Sequence, residues 1–349
     1  MRIAFIALTG PADWNAENLA TGLGGSESMV VLYAKELAKQ GHEVTVRTNT
    51  THPGVFDDVL YRPWKEDLFG NVADVVISLR APAPLKWYKA PVKALFANDQ
   101  NCADLPPAVN RGDCNFIVTI SKHQTDNYQY MYPSIPKEMY FQTSAGVAWD
   151  EFAQEIPKDR TQCLYLSTPE RGLKYFLTLW PRIISRVPNA NLVVTSGFQL
   201  YGWTDEQARQ ASGEFYDSIG RLPRVEYTGP LTRATYNRTV RGSGILLYPT
   251  DYEEQCCIAA LEASAGRCAM VTTELAALKE RVIDGFNGFL IKGKPGNQQY
   301  DDAFVEKAVL LMNNRALQSE MGRAGRKLAK QHNYPALAQQ WVKKFGELL

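Results

Sequence analysis

The stretch DYEEQCCIAALEASAGRCAMVTTE, residues 251–274, places two glutamates, Glu254 and Glu262, around an apolar run. The apolar run GILLYP precedes it and is typical of a strand that is buried on both faces. After a short loop, a segment rich in Ala, Ile and Leu predicts a helix that begins near Cys256. Strand, loop and helix in this order indicate an α/β sheet with parallel strands. Glu254 in the loop and Glu262 in the helix are the residues that packing does not explain.

The same alternation of strand and helix runs through most of the chain. A polar stretch at 149–162 reads as a linker, and short β-rich runs recur on both sides of it. Those before it are RIAFIAL, HEVTVRT, ADVVISL, VKALFA and NFIVTI, and those after it are CLYLS, NLVVTS, RVEYT, GILLYP, CAMVTT and GFLI. The helical patterns between the runs imply right-handed crossovers. The sequence therefore predicts two α/β domains, residues 1–155 and 156–333, and a helical segment over 334–349, with ligands bound at the carboxyl ends of the strands.

Composition narrows the class of protein. The 349 residues suit two domains, and the 38 basic and 37 acidic residues give no electrostatic reason to expect a nucleic-acid partner. The six cysteines form no CxxC pair, and none of the four histidines stands at metal-ligand spacing from a cysteine, so we expect no structural metal. Because no signal-peptide pattern or membrane-length apolar run is present, we expect a cytoplasmic protein with reduced thiols.

A glycine-rich loop, TGLGGSES (21–28), precedes a helix that is predicted to begin near Ser26. Gly24 and Gly25 would let backbone amides approach an anion, and the helix dipole favours phosphate at this end. The dinucleotide-binding fingerprint requires a third glycine where this chain has Glu27, so an NAD enzyme is not favoured. A phosphate-binding loop and a flexible loop with a serine cap both remain open.

Arg171 occupies the corresponding loop of the second half, within STPERGLKYF (167–176). Its guanidinium has the geometry to pair with a phosphate through two hydrogen bonds. The dipole of the helix that follows opposes a cation in the first turn, and an anion beside the arginine would remove this conflict. A solvated surface arginine is the alternative.

The loop and helix of 251–274 suggest a second part of the same anion site. The free amides of Cys256, Cys257 and Ile258 would lie at the helix N-terminus, where anions bind. Glu262 lies among small residues inside the helix, where an unpaired carboxylate would be costly and ribose hydroxyls would satisfy it. Glu254 would face the sugar beyond the phosphates. A solvated glutamate on an exposed helix face is the alternative for Glu262.

Together these stretches resemble a GT-B-fold glycosyltransferase of family 4, the retaining, metal-independent class that uses nucleotide-diphosphate sugars. Glu254 and Glu262, with seven residues between them, match the E-x7-E motif of that family. Other stretches follow in family order over nearly the whole chain: GLGGSE, STPERGL, EYTGPLTRATY, YPTDYEEQCCIAALEASA and LKERVIDGFNGFLI. The resemblance implies two Rossmann-like domains that face each other across a cleft, the first binding the acceptor and the second the donor. It also implies that the C-terminal helices pack back toward the first domain.

The resemblance assigns a role to each matching residue of the second domain. Arg171 would bind the diphosphate, together with the amides of residues 256–258. Glu262 would hold the ribose hydroxyls, and Glu254 would contact the transferred sugar and steady the charge that develops at its anomeric carbon. Backbone groups that would read the base lie around Pro230 and Leu231.

In the first domain, the resemblance implies that Gly24 and Gly25 close over the phosphates. Many family members have a catalytic histidine after a strand such as ALFA, and this chain has Asn98 there. An asparagine can hydrogen-bond a sugar hydroxyl but cannot act as a titrating base. Asp99 and Trp14 are further candidates for the acceptor side.

The resulting hypothesis is a retaining hexosyltransferase in glycan biosynthesis, with a UDP-sugar, GDP-sugar or related donor. No metal and no cofactor beyond the donor is expected. The acceptor, a glycan, a lipid or a small molecule, is not identified, and peripheral contact with a membrane is left open. The alternatives are a catalytically silent sugar-nucleotide-binding protein and a GT-B-type sugar-nucleotide isomerase.

Overall fold

A computed structural model of the chain describes residues 1–8, 13–66 and 72–349. It contains two compact units. The first is formed by Met1–Gly146 together with Asn333–Leu349, and the second by Val147–His332.

The first unit is built on a mostly parallel sheet. Over the described residues its strands are β1 (Arg2–Ile6), β2 (Glu43–Thr48), β3 (Gly54–Phe56), β4 (Val59–Pro63), β5 (Val75–Leu79), β6 (Val92–Phe96), β7 (Phe116–Thr119) and β8 (Tyr140–Gln142). Their order in the sheet is β3-β4-β2-β1-β5-β6-β7-β8, and only β3 and β4 in this described part pair antiparallel. The α-helices before residue 147 are α1 (Asn18–Thr21), α2 (Gly25–Lys39), α3 (Leu105–Asn110) and α4 (Lys122–Met131).

The second unit has a parallel sheet of its own, in the order β11-β10-β9-β12-β13-β14. The strands are β9 (Asp159–Tyr165), β10 (Asn191–Val194), β11 (Val225–Tyr227), β12 (Ser243–Tyr248), β13 (Ala269–Thr273) and β14 (Gly288–Ile291). The helices are α5 (Phe176–Ile184), α6 (Asp205–Gly220), α7 (Arg233–Gly242), α8 (Ile258–Ala265), α9 (Leu278–Arg281), α10 (Gln298–Asn313) and α11 (Arg315–Ala329). The prediction of an α/β protein with parallel strands is confirmed in both units.

Burial explains why the central strands of the second unit read as continuous apolar runs. Every residue of β12 and of β13 is buried, because helices cover both faces of the sheet. Gly244 in β12 also fits a close approach of two strands, since a Cβ atom there would lie 2.7 Å from the carbonyl oxygen of Arg160 in β9. Among the helices of the described residues, none has the length and apolar character to cross a membrane.

The C-terminal helix α12 (Tyr334–Gly346) belongs to the first unit, as the resemblance implied. Trp341 of α12 is fully buried and stacks on Tyr33 of α2, with the ring centroids 4.3 Å apart. Its indole Nε1 donates a hydrogen bond of 3.0 Å to Thr143 Oγ1. Helix α12 is therefore part of the core of the first unit and not an appendage.

We expect Trp341→Ala to destabilise the first unit by about 3–5 kcal/mol, because the substitution leaves a cavity where a large aromatic ring was packed. Lys343→Ala, on the exposed side of the same helix, is the matched control and should change stability by less than about 0.5 kcal/mol. Urea unfolding followed by circular dichroism measures both. Equal unfolding midpoints for the two variants would contradict the packing described for α12.

Candidate active site

Two loops of the second unit meet at the carboxyl ends of neighbouring strands. Strands β9 and β12 pair in parallel, so the segments that follow them emerge at the same edge of the sheet. Gly172, in the loop after β9, has a φ of 127°, and a Cβ atom there would lie 2.0 Å from the carbonyl oxygen of Pro249 after β12. Only glycine combines this backbone conformation with so close a contact. The Gly172–Pro249 contact therefore fixes the position of the loop that carries Arg171 against the loop that carries Glu254.

Glu254 is buried, with 7% of its surface exposed, and its carboxylate faces the loop of Arg171. Tyr248, at the end of β12, donates a hydrogen bond of 2.5 Å to Glu254 Oε1. Arg171 Nη1 lies 3.3 Å from the same oxygen, and the guanidinium also lies over the ring of Tyr252, 4.3 Å from its centroid. Burial, and then the charge of Glu254, raise the pKa of Tyr248 well above its usual value, so this tyrosine remains a donor. The pair Arg171–Glu254 predicted for the donor site is thus in direct contact.

Glu262 is also buried, so the alternative of a solvated glutamate on an exposed helix face is wrong. Arg233 Nη1 donates to Glu262 Oε1 and the Tyr236 hydroxyl donates to Oε2, each at 2.7 Å. Arg233 Nε also donates to Glu151 Oε2 at 2.7 Å. Burial lowers the pKa of Arg233, but the charges of Glu262 and Glu151 outweigh it and raise that pKa above its usual value. Arg233 and Tyr236 therefore already compensate the buried carboxylate of Glu262, and each of its oxygens retains a second lone pair for a hydroxyl donor such as the predicted ribose.

Three partners of the two glutamates, Arg233, Tyr236 and Tyr248, were not predicted from the sequence. Arg233 and Tyr236 stand three residues apart in LTRATY, a spacing that places both side chains on one face of α7. That spacing was the available signal. Tyr248 gave no comparable signal, because a tyrosine at the end of a buried strand is an ordinary packing residue.

Helix α8 begins two residues later than predicted, at Ile258 instead of near Cys256. Cys257 precedes the helix with a φ of 59°, which is outside the helical range. Arg281 holds this turn, since its Nε donates to the carbonyl oxygen of Cys256 at 2.8 Å. The side chain of Cys257, the residue that precedes the helix, makes no capping hydrogen bond. The first amides of the helix, starting at Ile258, therefore remain the candidates for the predicted anion-binding end, and Cys256 is not a helical residue.

The other candidates of the second unit, Pro230 and Leu231, lie half-buried between β11 and α7. Pro230 is near the loop after β10, since its Cδ atom would lie 3.4 Å from a Cβ atom added at Gly197. Both residues therefore lie on the carboxyl edge of the sheet, as Arg171 and Glu254 do.

In the first unit, Gly24 precedes α2 and Gly25 is its first residue. The first turn of this helix already holds a buried ion pair, between Glu27 Oε1 and Arg80 Nη1 at 3.4 Å. Arg80 Nη2 also donates to Ser26 Oγ at 2.8 Å. A buried carboxylate therefore lies in the first turn of the helix at whose N-terminus the sequence suggested a phosphate.

The acceptor-side candidates of the first unit differ in whether their side chains are exposed and whether they already have a hydrogen-bond partner. Asn98 follows β6, and its Oδ1 and Nδ2 are buried without a hydrogen-bond partner among the described residues. Asp99 is exposed, with its Oδ1 3.5 Å from Arg80 Nε. Trp14 is 1% exposed, so its ring offers no face on which an acceptor sugar could stack.

Residues 162–314 match the family model described as Glycosyl transferases group 1. This part of the chain, less than half of its length, is similar to that family. The predicted resemblance to a glycosyltransferase enzyme is therefore confirmed. The matched region contains Arg171, Glu254, Glu262 and their partners from α7.

Curated proteins similar to this chain include the phosphatidyl-myo-inositol mannosyltransferases of Mycobacterium tuberculosis and Mycobacterium bovis. Each is 24% identical over 204 residues, which cover 56% of this chain and 50% of that protein. The chain thus spans about half the length of the curated relatives that it matches.

Solved structures resemble the chain over its whole length. Sucrose-phosphate synthase from Thermosynechococcus elongatus has a TM-score of 0.73 at 14% identity, covering 100% of this chain and 99% of that one. Anabaena Alr3699/HepE in complex with UDP and glucose has a TM-score of 0.71 at 13% identity, covering 99% and 100%. The glycosyltransferase WaaG of lipopolysaccharide biosynthesis has a TM-score of 0.69 at 14% identity, covering 98% and 99%. At these identities the likeness establishes the fold, and the predicted GT-B fold is confirmed.

We expect Gly172→Ala to destabilise the second unit by about 2 kcal/mol or more, because alanine is strained at this φ and its Cβ would overlap Pro249. Gly220→Ala is the matched control, since a Cβ atom at that position meets nothing within 4 Å and alanine favours the helix. Thermal unfolding gives the melting temperatures of the two variants, which are then compared. Equal melting temperatures would mean that the contact between the two loops is not required.

Proposed function

We propose that this protein transfers a hexose-type sugar from a nucleotide-diphosphate sugar to an acceptor, with retention of configuration and without a metal ion. The observation that carries the proposal is the contact of Arg171 with the buried Glu254 at the carboxyl edge of the second sheet. A glycosyltransferase domain that places a guanidinium and a carboxylate there has the charges that a leaving diphosphate and a cation-like sugar require. The relatives support the donor class, since Anabaena Alr3699/HepE has been solved with UDP-glucose.

Arg171 is suited to exchange its partner when a donor binds. Its side chain is 27% exposed, and its contact with Glu254 at 3.3 Å is longer than a well-formed charge-assisted hydrogen bond. The diphosphate of a donor would offer oxygens to the same guanidinium and to the first amides of α8. Together these groups would neutralise the charge of the leaving nucleotide, which is the basis for proposing a metal-independent reaction.

Glu254 would act on the sugar. Once Arg171 turns to the diphosphate, the carboxylate keeps its hydrogen bond from Tyr248 and its other lone pairs face the space that the guanidinium has left. It would accept hydrogen bonds from sugar hydroxyls and stabilise positive charge at the anomeric carbon. Glu262, held by Arg233 and Tyr236, would accept the ribose hydroxyls with its remaining lone pairs. A silent sugar-nucleotide-binding protein is not favoured, because both motif glutamates are present and oriented.

The test begins with a thermal-shift screen of UDP-, GDP- and ADP-sugars, since a ligand that binds the folded state raises the melting temperature. The donor that binds is then assayed for release of its nucleoside diphosphate, with EDTA and with added Mg²⁺. We expect release at the same rate in both conditions. Binding without turnover on any acceptor would instead support a silent binding protein, and a loss of activity in EDTA would contradict metal independence.

In the same assay we expect Glu254→Gln to lower kcat by about 100-fold, because the neutral amide no longer stabilises charge at the sugar. Glu253→Gln, at the exposed neighbouring residue, is the matched control and should retain the activity of the unsubstituted protein. The melting-temperature shift caused by the donor should persist in Glu254→Gln, which separates a catalytic effect from loss of the fold. Equal kcat values for the two variants would contradict the role proposed for Glu254.

A further inference from the structure

A basic pocket of about 250 Å³ lies in the second unit, away from the loops of Arg171 and Glu254. Its lining comes from the segment before and at the start of β9, the ends of α7 and α8, and one face of α11. We call it the basic pocket after its six cationic side chains, which are Lys158, Arg160, Arg241, Arg267, Arg323 and Arg326. Glu155 is the one acidic residue in the lining, and the structure describes every residue of the lining.

The basic pocket lies at the opposite edge of the sheet from the proposed donor site. Strand β9 begins at Asp159, beside the pocket, and ends at Tyr165, just before the loop of Arg171. At about 3.3 Å per residue, the two ends of this strand are about 20 Å apart. Helix α8 likewise begins beside the donor site and ends at the pocket, where Gly266 follows it. The pocket is therefore not an extension of the site that holds Glu254 and Glu262.

Most of the positive charge in the basic pocket has no acidic partner. Arg267 forms an ion pair with Glu155. Among the described residues, the other five cations make no ion pair, and Arg160 donates instead to the neutral amide oxygen of Gln318 at 3.3 Å. Burial lowers the pKa of Lys158, and the charges of Arg160 and Arg326 lower it further. Burial and the charge of Arg267 likewise lower the pKa of Arg326. These cations are thus held close enough to repel one another.

Helix capping accounts for only part of this cluster. Lys158 Nζ donates to the carbonyl oxygen of Ser243, which follows α7, at 2.5 Å. Arg326 Nη1 donates to the carbonyl oxygen of Ala265, the last residue of α8, at 2.5 Å. Cations at helix C-termini are favourable, so these two residues have a structural explanation. Arg323 has no such structural explanation. It is exposed and forms no hydrogen bond or ion pair with any residue that the structure describes.

We propose that the basic pocket binds a phosphate-bearing anion at a site separate from the sugar-nucleotide site. Guanidinium groups that approach from three elements match the oxygens of a phosphate, which accept hydrogen bonds in several directions. A group with two negative charges offsets more of the mutual repulsion than a carboxylate does. The volume of about 250 Å³ is below the roughly 300–1,000 Å³ of drug-sized ligand sites, so the pocket suits a phosphate or pyrophosphate group with few other atoms. This inference does not depend on the proposed transferase activity.

The test uses the full chain carrying Arg171→Ala, which removes the guanidinium that would also attract a diphosphate at the donor site. Inorganic pyrophosphate is titrated into this protein by isothermal calorimetry. We expect Arg323→Glu in this background to weaken binding at least tenfold and Arg323→Lys to retain it. Arg238→Glu, an equal change of charge at an exposed residue of α7 outside the pocket, should leave the affinity within twofold.

Equal affinities for Arg323→Glu and Arg238→Glu would overturn the proposal, and so would the absence of pyrophosphate binding. A second arm identifies the source of the phosphate through sedimentation with phosphatidylglycerol vesicles, using phosphatidylcholine vesicles as the control. Arg323-dependent sedimentation with phosphatidylglycerol would identify a lipid headgroup as the ligand. Arg323-dependent binding of pyrophosphate without sedimentation would identify a free phosphorylated compound.

Discussion

Burial removes the water around a carboxylate, and the proposed donor site depends on how that loss is compensated. Glu254 and Glu262 receive the same kind of compensation, one tyrosine hydroxyl and one guanidinium each. The tyrosine that binds Glu254 lies in β12, where every residue is buried, and the tyrosine that binds Glu262 lies in α7, where only Asn237 and Val240 are buried. The carboxylates are therefore held in fixed orientations before any donor binds, which reduces the reorganisation that catalysis would require.

The two guanidiniums differ in how firmly they are held. Arg233 makes short contacts of 2.7 Å with two carboxylates, from Glu262 and Glu151, and its side chain is 18% exposed. Arg171 makes a contact of 3.3 Å with Glu254 and is 27% exposed. This difference suits a division of roles in which Arg233 orients a carboxylate permanently and Arg171 moves from a carboxylate to the diphosphate. Because the Gly172–Pro249 contact fixes the loop, such a move requires only a change of side-chain rotamer.

The sequence predicted the parts of the fold that depend on local patterns. The strands β12 and β13 are mostly apolar and every one of their residues is buried, and burial on both faces is what makes such runs recognisable. The start of α8 was predicted two residues early, because the positive φ of Cys257 and the contact from Arg281 are set by tertiary structure. Sequence order also gave no indication of the basic pocket, whose lining residues are spread from Phe152 to Arg326.

The candidate site residues were also predicted where a local pattern marks them. Glu254 and Glu262 belong to one short motif, and Arg171 lies in a second short stretch that follows a predicted strand. Their partners were not identified, since the contacts of Arg233 and Tyr236 with Glu262 join two helices that are separate in sequence. Trp14 was chosen because of its residue type, and its burial removes it as an acceptor surface.

A crystal structure with an intact nucleotide-diphosphate sugar would show whether Arg171 leaves Glu254 when a donor binds. We expect the Arg171 guanidinium to lie within hydrogen-bonding distance of the diphosphate, Glu254 to contact the sugar, and the contact of Arg233 with Glu262 to be unchanged. A donor bound with its diphosphate away from Arg171 and α8, and with the Arg171–Glu254 contact intact, would contradict this expectation.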